Sequence, residues 1–317
     1  MKTEMVDGDS SIPLVGLGTW LAAPGEVYTA TKNAIEMGYR HIDCAPVYNN
    51  ETEIGAALTD SMKSGIVTRE QMWITSKLWN NAHAPEDVIP TIKQTLTDLN
   101  LDYIDLYLIH WPVVHRKEVV IPKTADDFIP LDGLPISDTW QQLEKAVELG
   151  LCRNIGVANF SINKLQKLID SARIKPFANQ IELHPYLQQN NMLKFCWQNN
   201  IHLTAFSPLG SFGRPDMIKQ PNEPILLKDP IICAIANRMN ISPAQVVLAW
   251  ALQRGTSVIP KSINPLRMQQ NLRANEIYLD EEAKQQIAGL DKHYRYASGG
   301  FWTIEGSPYT MKNIWDE

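Results

Sequence analysis

Four residues of this chain carry groups suited to moving a proton: Asp43, Tyr48, Lys77 and His110. Three of them end short apolar runs that read as β-strands, YRHIDCA, MWITSKL and IDLYLIH, and Tyr48 follows soon after the first. Each has a plainer reading when taken alone. Asp43 would be a cap or turn residue, Tyr48 a packing residue, and His110 a buried structural histidine. Lys77 is harder to dismiss, because a lysine ending a buried strand is costly without a partner. Gathered at neighbouring strand ends, the four make chemical sense. Free tyrosine, with a pKa of about 10, holds its proton at neutral pH and releases it reluctantly. A neighbouring ammonium favours the phenolate and lowers that value. Lys77 supplies the charge, and Asp43 pairs with it and fixes its direction. Tyr48 then becomes a general acid working nearer neutral pH. His110 hydrogen-bonds and orients a carbonyl oxygen.

The elements that would position these groups alternate along the whole chain. Candidate strands cover 14–18, 38–44, 72–77, 103–110, 152–158, 177–183, 202–207 and 256–260, several of them almost continuously apolar, as strands covered on both faces should be. Helical patterns lie between. SPAQVVLAWALQRG opens with Ser242 as N-cap, Pro243 at the first helical position and Gln245 completing a capping box, and it stops at Gly255. SINKLQKLID starts at Ser161 and puts Ile162, Leu165, Leu168 and Ile169 on one face. DTWQQLEKAVELG puts Trp140, Leu143 and Val147 on one face and ends at Gly150. Eight strand–helix units predict an α/β fold, a closed (β/α)8 TIM barrel spanning residues 1–317 as one domain. An open doubly wound sheet is the alternative, but GLGTW breaks the dinucleotide fingerprint after two glycines. Asp7-Gly8 suggests an N-terminal β-hairpin that plugs the barrel bottom. Segments 111–137, 208–228 and 291–317 exceed normal connections. The first two follow strand ends and so belong to the top face, where barrel active sites lie. The last carries Tyr294, Tyr296, Phe301, Trp302, Tyr309 and Trp315, and should fold back to bury those rings.

Composition narrows the partners. The 317 residues are 44% hydrophobic and 20% charged, with a net charge of −6 and no Lys/Arg run, which argues against nucleic acid as a main partner. Cys44, Cys152, Cys196 and Cys233 form no metal-ligand spacing, so no metal site is expected, and they read as reduced thiols of a cytoplasmic protein. MKTEMVDGDSSIP has no apolar signal region, and no run is long enough to span a membrane. A monomer or weak dimer is expected. Cys44 is either a packing thiol or, beside Asp43, an oxidant-sensitive one.

The motifs GLGTW, GYRHIDCAPVYNNE, ITSKLW, YIDLYLIHWP, IGVANF, QIELHPY, FSPLGS and VIPKS, then Arg267 and Asn271, occur in that order at strand ends. The chain resembles the aldo-keto reductases, of the aldose or aldehyde reductase-like, NADPH-dependent kind, over essentially its whole length. The resemblance implies reduction of an aldehyde or ketone to the alcohol, with Tyr48 as proton donor, Lys77 and Asp43 as its tuning pair, and His110 as the carbonyl guide. Since these residues supply only a proton, a cofactor must bring the hydride. By the same resemblance NADP(H) lies across the barrel top without a Rossmann unit, beginning at Thr19 and Trp20. Asn159 and Gln180 match positions that hold its carboxamide, and Phe206 matches the stacking aromatic, where tyrosine is commoner. Ala158 stands where many members have serine, which removes one carboxamide hydrogen bond. Ser207, Leu209 and Ser211 begin a loop over the pyrophosphate, whose closure is expected to limit turnover. Lys261, Ser262 and Arg267 match the 2′-phosphate site, and Gln270 and Asn271 the adenine side. Arg suits phosphate through its planar fork.

On the substrate side, Trp20, Trp79 and Trp111 follow the first, third and fourth strands and suggest an aromatic pocket mouth beside Tyr48 and His110, with Trp302 from the tail. His115, Phe128 and Phe301 are further candidates. Arg116, Lys117 and Lys312 read as solvated charges, or as a sugar-phosphate site. Two other functions fit parts of this pattern: a redox-sensing or regulatory subunit that binds NADPH with little turnover, and a Schiff-base aldolase built on Lys77.

Overall fold

The computed structural model describes residues 3–7, 10–130 and 132–317. Strands β1 (Thr3–Asp7) and β2 (Ser10–Pro13) pair antiparallel, with Glu4 opposite Ile12, as in a hairpin. Gly8 of the expected turn lies outside the described residues. Ile12 is fully buried against Trp73, Leu106, Leu108 and Phe177. Trp73 opens one barrel strand and Phe177 immediately precedes another, so the hairpin closes the end where strands begin.

Eight parallel strands follow in simple chain order: β3 (Leu17–Gly18), β4 (His41–Asp43), β5 (Trp73–Leu78), β6 (Ile104–Ile109), β7 (Cys152–Ala158), β8 (Ala178–Glu182), β9 (His202–Phe206) and β10 (Ser257–Val258). All eight expected strands are present. The first and last are shorter than their apolar runs, because regular pairing there gives way to a seam of isolated bridges. In that seam Gly16 N donates to Val258 O at 2.8 Å, Val258 N to Leu14 O at 2.8 Å, and Gly18 N to Pro260 O at 3.2 Å. These bonds join the two edges of the sheet and close the barrel. Gly18 is required there by close approach, since a Cβ at this position would lie 2.5 Å from Ile259 O.

Helices α1 (Glu26–Met37), α2 (Glu51–Lys63), α3 (Pro85–Leu99), α4 (Ile136–Glu148), α5 (Ile162–Ser171) and α6 (Asn190–Gln198) each follow one strand. Two helices, α7 (Pro230–Met239) and α8 (Pro243–Leu252), separate β9 from β10, and α9 (Pro265–Arg273) follows β10. Then come α10 (Glu281–Ala288) and α11 (Met311–Trp315). The caps read from sequence form: Ser161 accepts from Lys164 N, and Ser242 and Gln245 make a reciprocal box. Every residue of β5 and β6 is buried, as helices outside and side chains inside require. Among the described residues, no single helix is long and apolar enough to cross a membrane.

The tail folds back and buries most of its rings, but Phe301 stays exposed. Trp302, Tyr309, Ile314 and Trp315 are buried with Trp79, Trp111, Val113 and Phe128. Tyr309 Oη accepts Val114 N at 2.8 Å, Trp315 Nε1 donates to Ser298 O at 2.7 Å, and Lys164 Nζ holds Asp316 Oδ2 at 2.8 Å. A second cluster of aromatic packing therefore sits on the barrel top, separate from the main core.

Candidate active site

Strands β4, β5 and β6 are neighbours, with Asp43 opposite Thr75 and Lys77 opposite Leu108. Their C-terminal ends therefore bring Asp43, Lys77 and His110 to one place. A short 3-10 turn over Pro46–Tyr48 returns Tyr48 above them. Lys77 is fully buried, and its Nζ donates to Asp43 Oδ1 at 2.5 Å and to Cys44 O at 2.8 Å. Asp43 Oδ2 accepts Gln180 Nε2 at 2.7 Å from β8, across the barrel, and Asp43 O accepts Thr19 Oγ1 at 2.7 Å. Lys77 Nζ lies 5.2 Å from the centroid of the Tyr48 ring. The rings of Tyr48 and His110 meet edge-on at 5.9 Å, and Trp79 backs His110 at 4.9 Å.

The electrostatics follow from burial and pairing. Burial alone would lower the Lys77 pKa, but Asp43 and Tyr48 outweigh it and hold the ammonium more firmly than usual. Burial takes the His110 imidazole well below its ordinary value, assisted by Lys77 and His83, so it is neutral at pH 7. Tyr48 departs from the sequence expectation. Lys77 pulls its pKa down, but burial of the phenol is the larger effect and pushes it up to about 12. Just below, Glu51 is buried with its Oε1 accepting Ser76 Oγ at 2.6 Å, and burial raises its pKa to about 8.

A cavity of about 1060 Å³ opens over this cluster. Asp43, Tyr48 and His110 line it, while Lys77 lies beneath, reaching the cavity only through its neighbours. Trp20, Trp79, Trp111, Phe301 and Trp302 form an aromatic end. Thr19, Asn159, Gln180, Phe206, Ser207, Leu209 and Ser211 also line it. Lys261, Ser262, Arg267, Gln270 and Asn271 line it too, Lys261 being bridged to Gly18 at the barrel seam. Most of the residues proposed from sequence for cofactor and substrate thus line the same cavity as Asp43, Tyr48 and His110.

The profile of the Aldo/keto reductase family matches residues 14–292. The chain belongs to the aldo/keto reductase family. It is 54% identical over 317 residues to Aldo/keto reductase slr0942 of Synechocystis sp. (strain ATCC 27184 / PCC 6803 / Kazusa), covering all of this chain and 97% of that one. It is 45% identical over 287 residues to Aldo-keto reductase family 1 member A1 of Mus musculus, covering 90% and 88% respectively. Its structure is similar to that of the aldose reductase from Schistosoma japonicum, with a TM-score of 0.85 and 37% identity over 95% of this chain and 96% of that one. As an aldo/keto reductase it is a pyridine-nucleotide-dependent oxidoreductase acting on small carbonyl compounds.

This reductase's own residues fit such a cofactor. Asn159 Nδ2 is committed to His110 O at 2.9 Å, leaving Oδ1 buried without a protein partner at the cavity wall. An amide donor from a ligand would satisfy it. Phe206 is partly exposed, and Lys261 and Arg267 are exposed and line the cavity. Among the described residues, no hydrogen bond or ion pair ties down the Lys261 or Arg267 side chain.

Some candidates lie elsewhere. His115 and Phe128 are buried behind Trp79 and Trp302, in edge contact with each other at 5.3 Å, and do not line the cavity. The loop 111–137 doubles back there instead of lying over the cavity with all its side chains. Lys117 pairs with Asp87 and Arg116 donates to Asp126 O, so neither offers a phosphate site over the tetrad. Lys312 is exposed away from the cavity. Sequence reasoning also left Glu182 unremarked, although an acid ending the buried run QIE signals an obligatory partner. It left unremarked the Arg214–Glu223 ion pair inside 208–228 as well, in which Nη1 lies 2.9 Å from Oε1.

Proposed function

We propose that this reductase converts an aldehyde or ketone to its alcohol with NADPH, Tyr48 supplying the proton. The observation that carries this reading is the buried Lys77–Asp43 pair set against Tyr48 and His110 at the floor of the cavity. When bound, the nicotinamide supplies a hydride to the carbonyl carbon. His110, kept neutral by burial, donates a hydrogen bond that orients the carbonyl oxygen. Being neutral, it is a poor proton source, which leaves the acid role to Tyr48. A phenol with a pKa of about 12 holds its proton until the substrate oxygen becomes more basic than it. An alkoxide formed at that oxygen is a stronger base than a phenolate, so transfer from Tyr48 runs downhill. Lys77 then stabilises the phenolate, and Asp43 keeps Lys77 charged.

Asn159, through Oδ1, and Gln180 would hold the carboxamide, Phe206 would stack on the ring, and Ala158 offers no side-chain bond there. Gln180 has a second task, since its Nε2 already holds Asp43. Thr19, Trp20, Ser207, Leu209 and Ser211 would flank the nicotinamide and pyrophosphate. Lys261, Ser262 and Arg267 would take the 2′-phosphate, with Gln270 and Asn271 at the adenine, which is the basis for preferring NADPH over NADH. Trp20, Trp79, Trp111 and Trp302 would receive the body of the substrate. Segment 208–228 would move for cofactor exchange and limit turnover, an idea refuted if single-turnover chemistry proves as slow as steady state. The buried charge pair also weighs against a Schiff base at Lys77, which needs a neutral and accessible amine.

Loss of reduced-nicotinamide absorbance with glyceraldehyde tests the reading and separates an enzyme from a silent binding subunit. Tyr48→Phe should abolish turnover and change NADPH affinity by less than about threefold. Substantial turnover in that variant would remove Tyr48 from the acid role.

A further inference from the structure

Glu182, the last residue of β8, lies outside the cavity lining, and both its oxygens are engaged by the tail. Tyr296 N donates to Oε1 at 2.6 Å and Ala297 N to Oε2 at 2.6 Å. His184 Nε2 lies 2.8 Å from Oε1, and both side chains are completely inaccessible. Two consecutive backbone N–H groups on one buried carboxylate make short, charge-assisted bonds. The clamped Tyr296 and Ala297 themselves line the cavity, and Ser298, Phe301 and Trp302, which follow, line it too. Trp302 packs at 5.8 Å from both Trp79 and Trp111. On the other side of the clamp, Tyr296 Oη donates to Pro224 O at 2.8 Å, within segment 208–228. Glu182 also pairs in register with Phe206. Along β8, Gln180 and Glu182 share one face by strand periodicity. One holds Asp43 and the other holds the wall opposite.

We infer that Glu182 is a positioning residue that sets which carbonyl compounds are accepted: by clamping Tyr296 and Ala297 it fixes the tail-borne wall of the cavity against the tetrad. The inference rests on the carbonyl-reduction reading above. Substrates whose rings reach that wall depend on the clamp. A short aldehyde held by Tyr48 and His110 does not.

The test uses the full chain, with an aromatic aldehyde such as benzaldehyde and with glyceraldehyde. In Glu182→Gln one oxygen becomes a donor facing a donor, so the wall shifts while side-chain volume is kept. KM for the aromatic aldehyde should rise about 10- to 100-fold, the worth of a charged hydrogen bond. The kcat for glyceraldehyde should change by less than about threefold. Proportional loss with both aldehydes would mean a scaffold role only, and no change with either would mean no role, so each overturns the inference. If Glu182→Gln does not fold, Glu182→Asp, which keeps the charge but shortens its reach by one methylene, is judged by the same split. If neither variant folds, the clamp is a folding element and the inference fails. A wild-type chain inactive on both aldehydes refutes the reductase reading itself, a result distinct from an unchanged variant.

Discussion

Replacing Asp43 by asparagine should destabilise the fold far more than a surface charge change, and removing Lys77 as well should repair most of the damage. Lys77 is fully buried, and its Nζ rests on Asp43 Oδ1 at 2.5 Å while Gln180 Nε2 rests on Oδ2 at 2.7 Å. Asparagine offers one oxygen and one amide to these two donors, so one donor must face another. Either way the ammonium loses its counter-charge and keeps only neutral acceptors such as Cys44 O at 2.8 Å. Breaking a buried pair from one side costs about 3–5 kcal/mol, because the remaining charge is left in the interior. For a chain of this size that lowers the melting temperature by about 5–8 °C. Asp43→Asn with Lys77→Met removes both charges and should return to within about 2 kcal/mol of wild type, since an apolar replacement of a buried pair is often near neutral. Both variants should lose carbonyl reduction. Urea unfolding followed by tryptophan fluorescence gives the stabilities, and nicotinamide oxidation gives the activity. The pH dependence has a definite sign. The folded-state pKa of Lys77 is raised, so its stabilisation is complete below about 10.5 and is lost as pH rises through the folded value. Wild type should therefore keep this contribution until strong alkali, whereas Asp43→Asn, whose unpaired Lys77 is left to the lowering effect of burial, should gain stability as pH rises toward about 10.5, so the gap narrows on the alkaline side. A single variant within about 1 kcal/mol of wild type, or a double variant as unstable as the sum of the singles, would refute the buried-pair argument.

Burial lowers the pKa of His41 and His115 to about 4, and that of His83 and His202 to about 3. The unfolded chain then binds more protons between those values and about 6.5, so stability present above 6.5 is lost as pH falls, by up to about 3 kcal/mol for His41 and His115 and about 5 kcal/mol for His83 and His202. A melting temperature that stays flat from pH 7 to pH 5 would contradict this. Arg267→Ala should weaken NADPH binding about 10- to 100-fold and leave NADH nearly unchanged, and equal affinity for NADPH in variant and wild type would remove Arg267 from the phosphate site. Gly18→Ala places a Cβ against Ile259 O at the barrel seam and should cost about 1–3 kcal/mol, as measured by denaturant midpoint; a stability equal to wild type would show that the seam can yield.

The barrel was legible because its signals are local. Apolar runs such as IDLYLI and caps such as Ser242 and Ser161 depend on near neighbours, and they fall where expected. Edges were less legible. Whether 14–18 and 256–260 make full strands or a bridged seam depends on how two ends of the chain meet. His115 and Phe128 had the composition of pocket residues, but the loop carrying them turns back, and only its three-dimensional path puts them behind Trp79 and Trp302.

From the residues alone came the order of strands, the helix starts, and the placement of an acid, a phenol, an amine and an imidazole at strand ends. Those follow from side-chain periodicity and local capping, which act over a few residues. Tertiary structure decided what each group became. It sealed Lys77 against Asp43 and brought Gln180 across the barrel onto the same carboxylate. It also held the tail on Glu182 and let burial outweigh the lysine in setting the phenol of Tyr48. These depend on desolvation and on partners 34 to 137 positions away, and neither exists until the barrel closes.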